Sequence, residues 1–208
     1  MNFDRIAKEL RESTQAQDDR LRALLETSSA RHQHLCPRQV LGVRFALAGG
    51  AALGLSLPRR DKRLLVIVEI DGCFVDGVEV ATGASVGHRT LRVEDFGKVA
   101  ATFVDVKDDR ALRVAPRLQV REQAGDYAPG EPSKYFAMLY AYQVMPDAEL
   151  LSIQEVRLAR PVQELISHPG LRVTCDRCGE EIFNEREIYR DGLCLCRTCA
   201  QGAYYLAH

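Results

Sequence analysis

The 208 residues carry 28 Lys+Arg against 29 Asp+Glu, a formal charge of -1, with 46% apolar residues, seven Cys and no Trp. A chain of this length buries a real core without disulfide stapling and fits one main domain plus a small appendage. Its near-zero charge excludes a protein drawn to nucleic acid or to an anionic membrane by its overall field.

The N-terminus, MNFDRIAKEL, is charged from its fourth residue and has no apolar signal region, which predicts a cytoplasmic chain. Residues 1 to 30 place Phe3, Ile6, Leu10 and then Leu21, Leu24, Leu25 at helical spacing among five basic and six acidic side chains, an arm of one or two amphipathic helices. After His32-Gln33-His34-Leu35-Cys36, Pro37 marks a helix start with Cys36 as its N-cap. The apolar stretch Val40 to Leu57 is interrupted by Arg44 and is too short to span a bilayer, so it predicts a buried core helix and no membrane association. Leu64 to Ile70 is a β-branched run expected to form a buried strand ending in Asp71-Gly72-Cys73. A helix over Val75 to Thr82, stopped by Gly83, comes next. Strands follow at Thr90 to Val93, Val99 to Val106 and Ala111 to Val114, then a loop (REQAGDYAPGEPS), a helix over Lys134 to Val144 ended by Pro146, and a strand over Leu150 to Leu158. Helices mixed with consecutive strands predict an α+β fold with a mixed sheet over residues 1 to 160. Arg160-Pro161 and His168-Pro169-Gly170 bound a linker over 161 to 170, and 171 to 208 read as a separate module.

That module holds five of the seven cysteines, an odd total that reads as metal ligation in a reducing compartment rather than a disulfide framework. Cys175-Asp-Arg-Cys178 and Cys196-Arg-Thr-Cys199, separated by 17 residues, are spaced to close tetrahedrally on structural zinc. Gly179 lets the chain turn after the first pair, Leu193-Cys194-Leu195 is a short strand delivering the second, and Cys194 is a bystander. Five Arg against six acidic residues in this finger argue for a protein-contact or dimer-contact role over nucleic acid.

A second constellation surrounds Cys36. His32, His34 and Cys36 alternate along an extended segment, so three ligands share one side of it. A thiol at a helix N-terminus should ionise more readily or bind metal, and cysteine is a poor choice for capping alone. The competing reading is a buried inert cysteine with two surface histidines. Cys73, following a buried strand, is positioned to face Cys36, and a His/Cys/Cys set with an open fourth position suits a reactive or substrate-binding transition metal, zinc among the candidates. Lys98, next to a strand start, would bring a positive charge to the same cleft or stand exposed on the strand edge.

His32-x-His34-x-Cys36-Pro37-x-x-x-Leu41-Gly42-x-Arg44, Glu69-Ile70-Asp71-Gly72-Cys73-x-x-Asp76, Thr82-Gly83, Gly87, Leu91 and Asp95-x-Gly97-Lys98-x-Ala100-x-Thr102-Phe103 together closely resemble the FmdE (FwdE) family of formylmethanofuran dehydrogenase subunits over residues 30 to 160. The cysteine tail resembles the zinc finger that many members carry, similar to that of DksA/TraR-type regulators. The resemblance implies a fold akin to the catalytic domain of glyceraldehyde-3-phosphate dehydrogenase, a metal in the core domain, zinc in the finger and a homodimer. This chain departs from the family pattern at Gln33, Arg38, Ala84 and His88. Ala84 replaces a cysteine that would serve as a third sulfur ligand or as a redox partner of Cys73.

Two functions are expected from these residues. One is a metal-binding protein accessory to molybdenum or tungsten formylmethanofuran-dehydrogenase-type or one-carbon metabolism. The other is an enzyme acting on a carbonyl or formyl group through a Cys36 nucleophile or a metal-bound water, with Lys98 or a histidine handling charge. Regulation of transcription through the finger is a third, weaker reading.

Overall fold

The computed structural model describes residues 3–166 and 170–206. The chain divides into two compact units, Met1–Val162 and Gln163–His208.

In the first unit the N-terminal arm is a single helix, α1 (Phe3–His32). Leu25 lies in the core with Leu21 and Leu24 packed against it, while the side chains of Phe3, Ile6 and Leu10 lie outside the described ones. Next come α2 (Pro37–Leu53), β1 (Leu64–Val68), α3 (Cys73–Thr82), β2 (Leu91–Val93), β3 (Ala101–Asp105) and β4 (Arg110–Pro116). They are followed by α4 (Val120–Tyr127), α5 (Lys134–Val144), α6 (Asp147–Leu150) and β5 (Leu151–Val156), and the single turn α7 (Val162–Leu165) spans the boundary between the units. The five strands form one mixed sheet in the order β2-β1-β3-β4-β5. β1 runs parallel to β2, with Val66 opposite Leu91. The rest is an antiparallel meander with Val66 opposite Phe103, Phe103 opposite Leu112 and Leu112 opposite Glu155. The fold is α+β, as the alternation of helices and consecutive strands predicts.

α2 is apolar all round because it is the middle layer. It contacts β3 and β4 on one side and α1, α3 and α5 on the others, so between residues 39 and 50 it presents no face to water. Phe45 on α2 meets Phe74 on α3 edge to face, with ring centres 5.2 Å apart. Arg44, the one charge in the run, is buried and closes the end of α5. Its guanidinium donates to the carbonyls of Tyr142 (2.8 Å) and Met145 (2.6 Å) and to the Asp147 carboxylate (2.6 Å). The carbonyls left over at that helix end are thereby satisfied without solvent.

One reading is corrected. The segment expected as a loop, REQAGDYAPGEPS, begins as α4, because Val120 and Ala124, four residues apart, are both buried and Tyr127 packs against the same core. One narrow apolar stripe is enough for a two-turn helix whose other faces are charged. The span expected as a linker contains the single turn α7, and its His168-Pro169 break lies outside the described residues.

β3 ends in Asp105, a buried carboxylate held by Nε and one terminal nitrogen of Arg63 at 2.9 and 2.7 Å and by the Lys107 amide at 3.1 Å. The Arg63 hydrogen bonds hold its carboxyl below the usual carboxylate range. A depressed folded-state pKa gives stability that is present above the unfolded value, near 4, and lost as pH falls through the folded one. Asp105→Asn is therefore expected to destabilise the unit by about 2 kcal/mol at pH 7, and by progressively less in urea melts below about pH 4. An equal loss at pH 7 and pH 3 would contradict this.

The second unit consists of two hairpins and a short helix. β6 (Arg172–Thr174) pairs with β7 (Glu181–Phe183), β8 (Ile188–Arg190) pairs with β9 (Leu193–Leu195), and α8 (Arg197–Gln201) follows. Among its described residues, Cys175, Ile182, Leu195 and Ala200 form the buried core cluster. Among the described residues of the chain, no helix is long and apolar enough to cross a membrane.

Candidate metal centres

Each CxxC pair of the second unit rides on a turn next to a strand end. Cys175 follows β6, and Gly179, at φ 78°, turns the chain so that its amide returns to the Cys175 carbonyl at 2.9 Å. Cys196 follows β9 and caps α8 through its sulfur, which accepts from the Cys199 amide at 3.3 Å. The four sulfurs of Cys175, Cys178, Cys196 and Cys199 lie within 4.8 Å of one another. The Cys178 and Cys196 sulfurs are 3.8 Å apart, and a tetrahedron with metal–sulfur bonds of about 2.3 Å has edges of about 3.8 Å. Backbone amides of Cys178 and Cys196 pull the Cys175 thiol down to about 6. The Cys196 sulfur and burial push Cys199 up to about 12, and Cys178 is also raised. Four thiolates crowded together stay ionised only with a cation among them, so this donor set fits a divalent metal. Cys194 stands outside the set, across from Tyr189 on the neighbouring strand.

In the first unit the structure brings Cys36 and Cys73 together from two different helix starts. Cys36 is the N-cap of α2, and Cys73 is the first residue of α3, after Gly72 at φ 80°. The sulfurs are 3.0 Å apart and both cysteines are free thiols. Burial, followed by the Cys36 sulfur, pushes the Cys73 thiol up to about 11, with Arg38 acting weakly in the opposite direction. Both sulfurs therefore do not ionise together at neutral pH unless a cation joins them. Tyr135 on α5 is exposed nearby, its hydroxyl donating to the Leu35 carbonyl at 3.3 Å. Burial and the charges of Cys36 and Cys73 raise its phenol pKa.

His32 ends α1, and its Nδ1 lies 2.9 Å from the Asp76 carboxylate on α3. His34 is exposed, its ring centre 4.7 Å from that of His32. The imidazoles are not gathered with the two sulfurs into a set whose ligand atoms all lie within 4.8 Å; among the described residues only the four-cysteine group meets that spacing. Lys98 is exposed on the β2–β3 connection, and the carboxylate that feels its charge is Glu69, not the thiol pair. Ala84 lies past the opposite end of α3, about 15 Å of helix away from Cys73, so a thiol at that position would neither join nor oxidise the pair. That departure from the family pattern leaves the site intact.

Two positioning residues escape a reading focused on ligands. Gln39 is fully buried; its side-chain oxygen accepts from the Cys36 amide at 2.8 Å, and its nitrogen donates to the Ser28 carbonyl and hydroxyl at 3.1 and 3.0 Å. It fixes Cys36 at the start of α2 and ties α1 to it. The signal was available, since a Gln three residues after an N-cap is the capping-box spacing. Asp76 sits one turn after Cys73 on the same face of α3 and orients His32 toward that side, as a carboxylate orients a ligand imidazole through its second nitrogen.

Comparison with known proteins agrees with this architecture. A curated relative from Archaeoglobus fulgidus, described as a "Probable S-adenosyl-L-methionine-binding protein", is 29% identical over 212 residues, covering 89% of this chain and 54% of that one. The chain thus spans about half the length of that relative. The crystal structure of a tungsten formylmethanofuran dehydrogenase FmdE-like protein from Syntrophus aciditrophicus superposes with a TM-score of 0.56 at 21% identity, covering 89% of this chain and 95% of that one. It shares the fold. The family model described as FmdE, Molybdenum formylmethanofuran dehydrogenase operon, matches residues 31–157, the stretch that holds Cys36, Cys73 and the whole sheet, and the chain belongs to that family.

Proposed function

We propose that this protein is a metal-binding accessory of molybdenum- or tungsten-dependent formylmethanofuran-dehydrogenase-type or one-carbon metabolism, with zinc in the four-cysteine unit and a second transition metal in the core. Cys36 and Cys73 would hold the core metal, with His32 or His34 completing the set. The observation that carries the reading is the convergence of two thiols from two helix starts, and the imidazole held by Asp76 would have to move in to join them. Soft sulfur and imidazole donors suit zinc and its neighbours rather than magnesium or calcium. A metal there would supply a Lewis-acid position for a carbonyl or formyl oxygen. The chain's own residues set the geometry: Gln39 holds Cys36 and Asp76 holds His32. Direct attack by Cys36 is disfavoured, because the residue is only 6% exposed.

The test is element analysis of the intact chain by mass spectrometry. Two metal equivalents are expected in the wild type, and one each in Cys36→Ser and Cys175→Ser. A single equivalent in the wild type, unchanged by Cys36→Ser, removes the core site.

A further inference from the structure

The two cysteine sites of this chain differ in one distance. In the four-cysteine unit, Cys178 and Cys196 stand at the 3.8 Å separation of a tetrahedral metal site, whereas Cys36 and Cys73 stand at 3.0 Å. A disulfide needs about 2.05 Å, so the core pair lies between the two covalent states and reaches either by a sulfur displacement of about 1 Å. The helices that carry the thiols are packed backbone to backbone: a Cβ on Gly77 of α3 would strike the Gln39 carbonyl, and one on Gly42 of α2 the Phe74 carbonyl. The approach of the sulfurs is therefore built into the core and is not a matter of side-chain rotation alone. The two thiols are also unequal in access, Cys36 being buried and Cys73 partly open to solvent. Access, not acidity, makes Cys73 the attacking cysteine and Cys36 the resolving one.

We propose that Cys36 and Cys73 are a redox site: they close into a reversible disulfide with a small-molecule disulfide, such as oxidised glutathione, as the oxidant. The Cys73 sulfur, its proton passing to solvent, attacks one sulfur of the oxidant and forms a mixed disulfide. One thiolate leaves and takes up a proton. The Cys36 sulfur then attacks the Cys73 sulfur, its proton also passing to solvent, and the second thiol leaves. Two electrons pass from the two cysteines to the oxidant, and two thiols appear per link formed. The link joins positions 37 residues apart and staples α2 to α3 at their first turns. Its sulfurs are no longer available as thiolate ligands, so oxidation and metal binding compete for the same pair.

The inference goes beyond the metal reading and stands or falls separately from it. Metal-free full-length chain is treated with oxidised glutathione, and non-reduced peptides are mapped by mass spectrometry. A linked peptide pair containing Cys36 and Cys73 is expected, with two thiols released per link and full reversal by dithiothreitol. In Cys36→Ser, Cys73 has no resolving partner and should stop as a single glutathione adduct. Wild type that also stops at the adduct, or that keeps both cysteines open to alkylation while Cys175, Cys178, Cys196 and Cys199 oxidise, overturns the proposal. Prior loading with Zn²⁺ should slow linkage at least tenfold; linkage at an unchanged rate would count against the core metal while leaving the redox pair standing.

Discussion

Removing the metal from the four-cysteine unit with a chelator is expected to unfold Gln163–His208 and to leave the folding of Met1–Val162 in place. The apolar core of the smaller unit is Ile182, Leu195 and Ala200 around Cys175. Two large aliphatic side chains and two three-residue hairpins are too little to offset the chain entropy lost over Arg172–Gln201. A divalent metal held by the four thiolates would supply the missing folding free energy. Amide signals of residues 171–201 should collapse to random-coil positions in a ¹H–¹⁵N spectrum of chelated protein, while those of α2 and the five-stranded sheet keep their dispersion. Persistence of dispersed finger signals in metal-free protein would show that the unit folds on its own.

The same site sets the direction of a pH dependence. With the metal-free unit unfolded, its cysteines carry protons at neutral pH, with ordinary thiol values of about 8.5. Loading must expel these protons, and metal affinity therefore climbs with pH across the neutral range. Affinity that is flat between pH 6 and 8 would contradict ligation by these thiols.

Which parts of this protein can be read from its residues follows from what kind of force places them. The cysteine spacing of the finger is a local geometric requirement and was legible, as were the Pro37 start of α2, the Gly83 stop of α3 and the β1 run. Each depends on a residue and its near neighbours. α4 was not legible, because Gly125, Pro129, Gly130 and four charges outweigh Val120 and Ala124 in composition, and only the folded core shows that two buried positions suffice. Arg44 reads as an interruption of an apolar helix, since nothing local reveals that the carbonyl end of α5, a hundred residues on, needs a donor there. The meeting of Cys36 with Cys73 was expected from the strand-end position of Asp71-Gly72-Cys73, yet the closeness of the two helices depends on a pair of glycines that only packing explains.

That pair supports the sharpest test of the core. Gly77→Ala is expected to destabilise Met1–Val162 by about 3 kcal/mol and to lower its melting temperature by about 10 °C. A Cβ at Gly77 would meet the Gln39 carbonyl oxygen at well under contact distance and the Val43 amide nitrogen at 3.0 Å, both backbone atoms of a buried helix that has no room to retreat. α2 is pressed from behind by β3 and β4, so relief must come from α3 moving outward. Because Gly77 lies one turn from Cys73, this movement draws the two sulfurs apart, and Cys36–Cys73 linkage by oxidised glutathione should fall at least tenfold in Gly77→Ala protein that still shows a cooperative melt. Gly125→Ala supplies the opposite sign with the same chemistry: no atom lies within 4 Å of its Cβ, and alanine in a helix is favoured over glycine by about 1 kcal/mol, so that variant should melt slightly higher and link as the wild type does. Equal behaviour of the two variants would mean that the glycines at the α2–α3 crossing do not set the approach of the thiols.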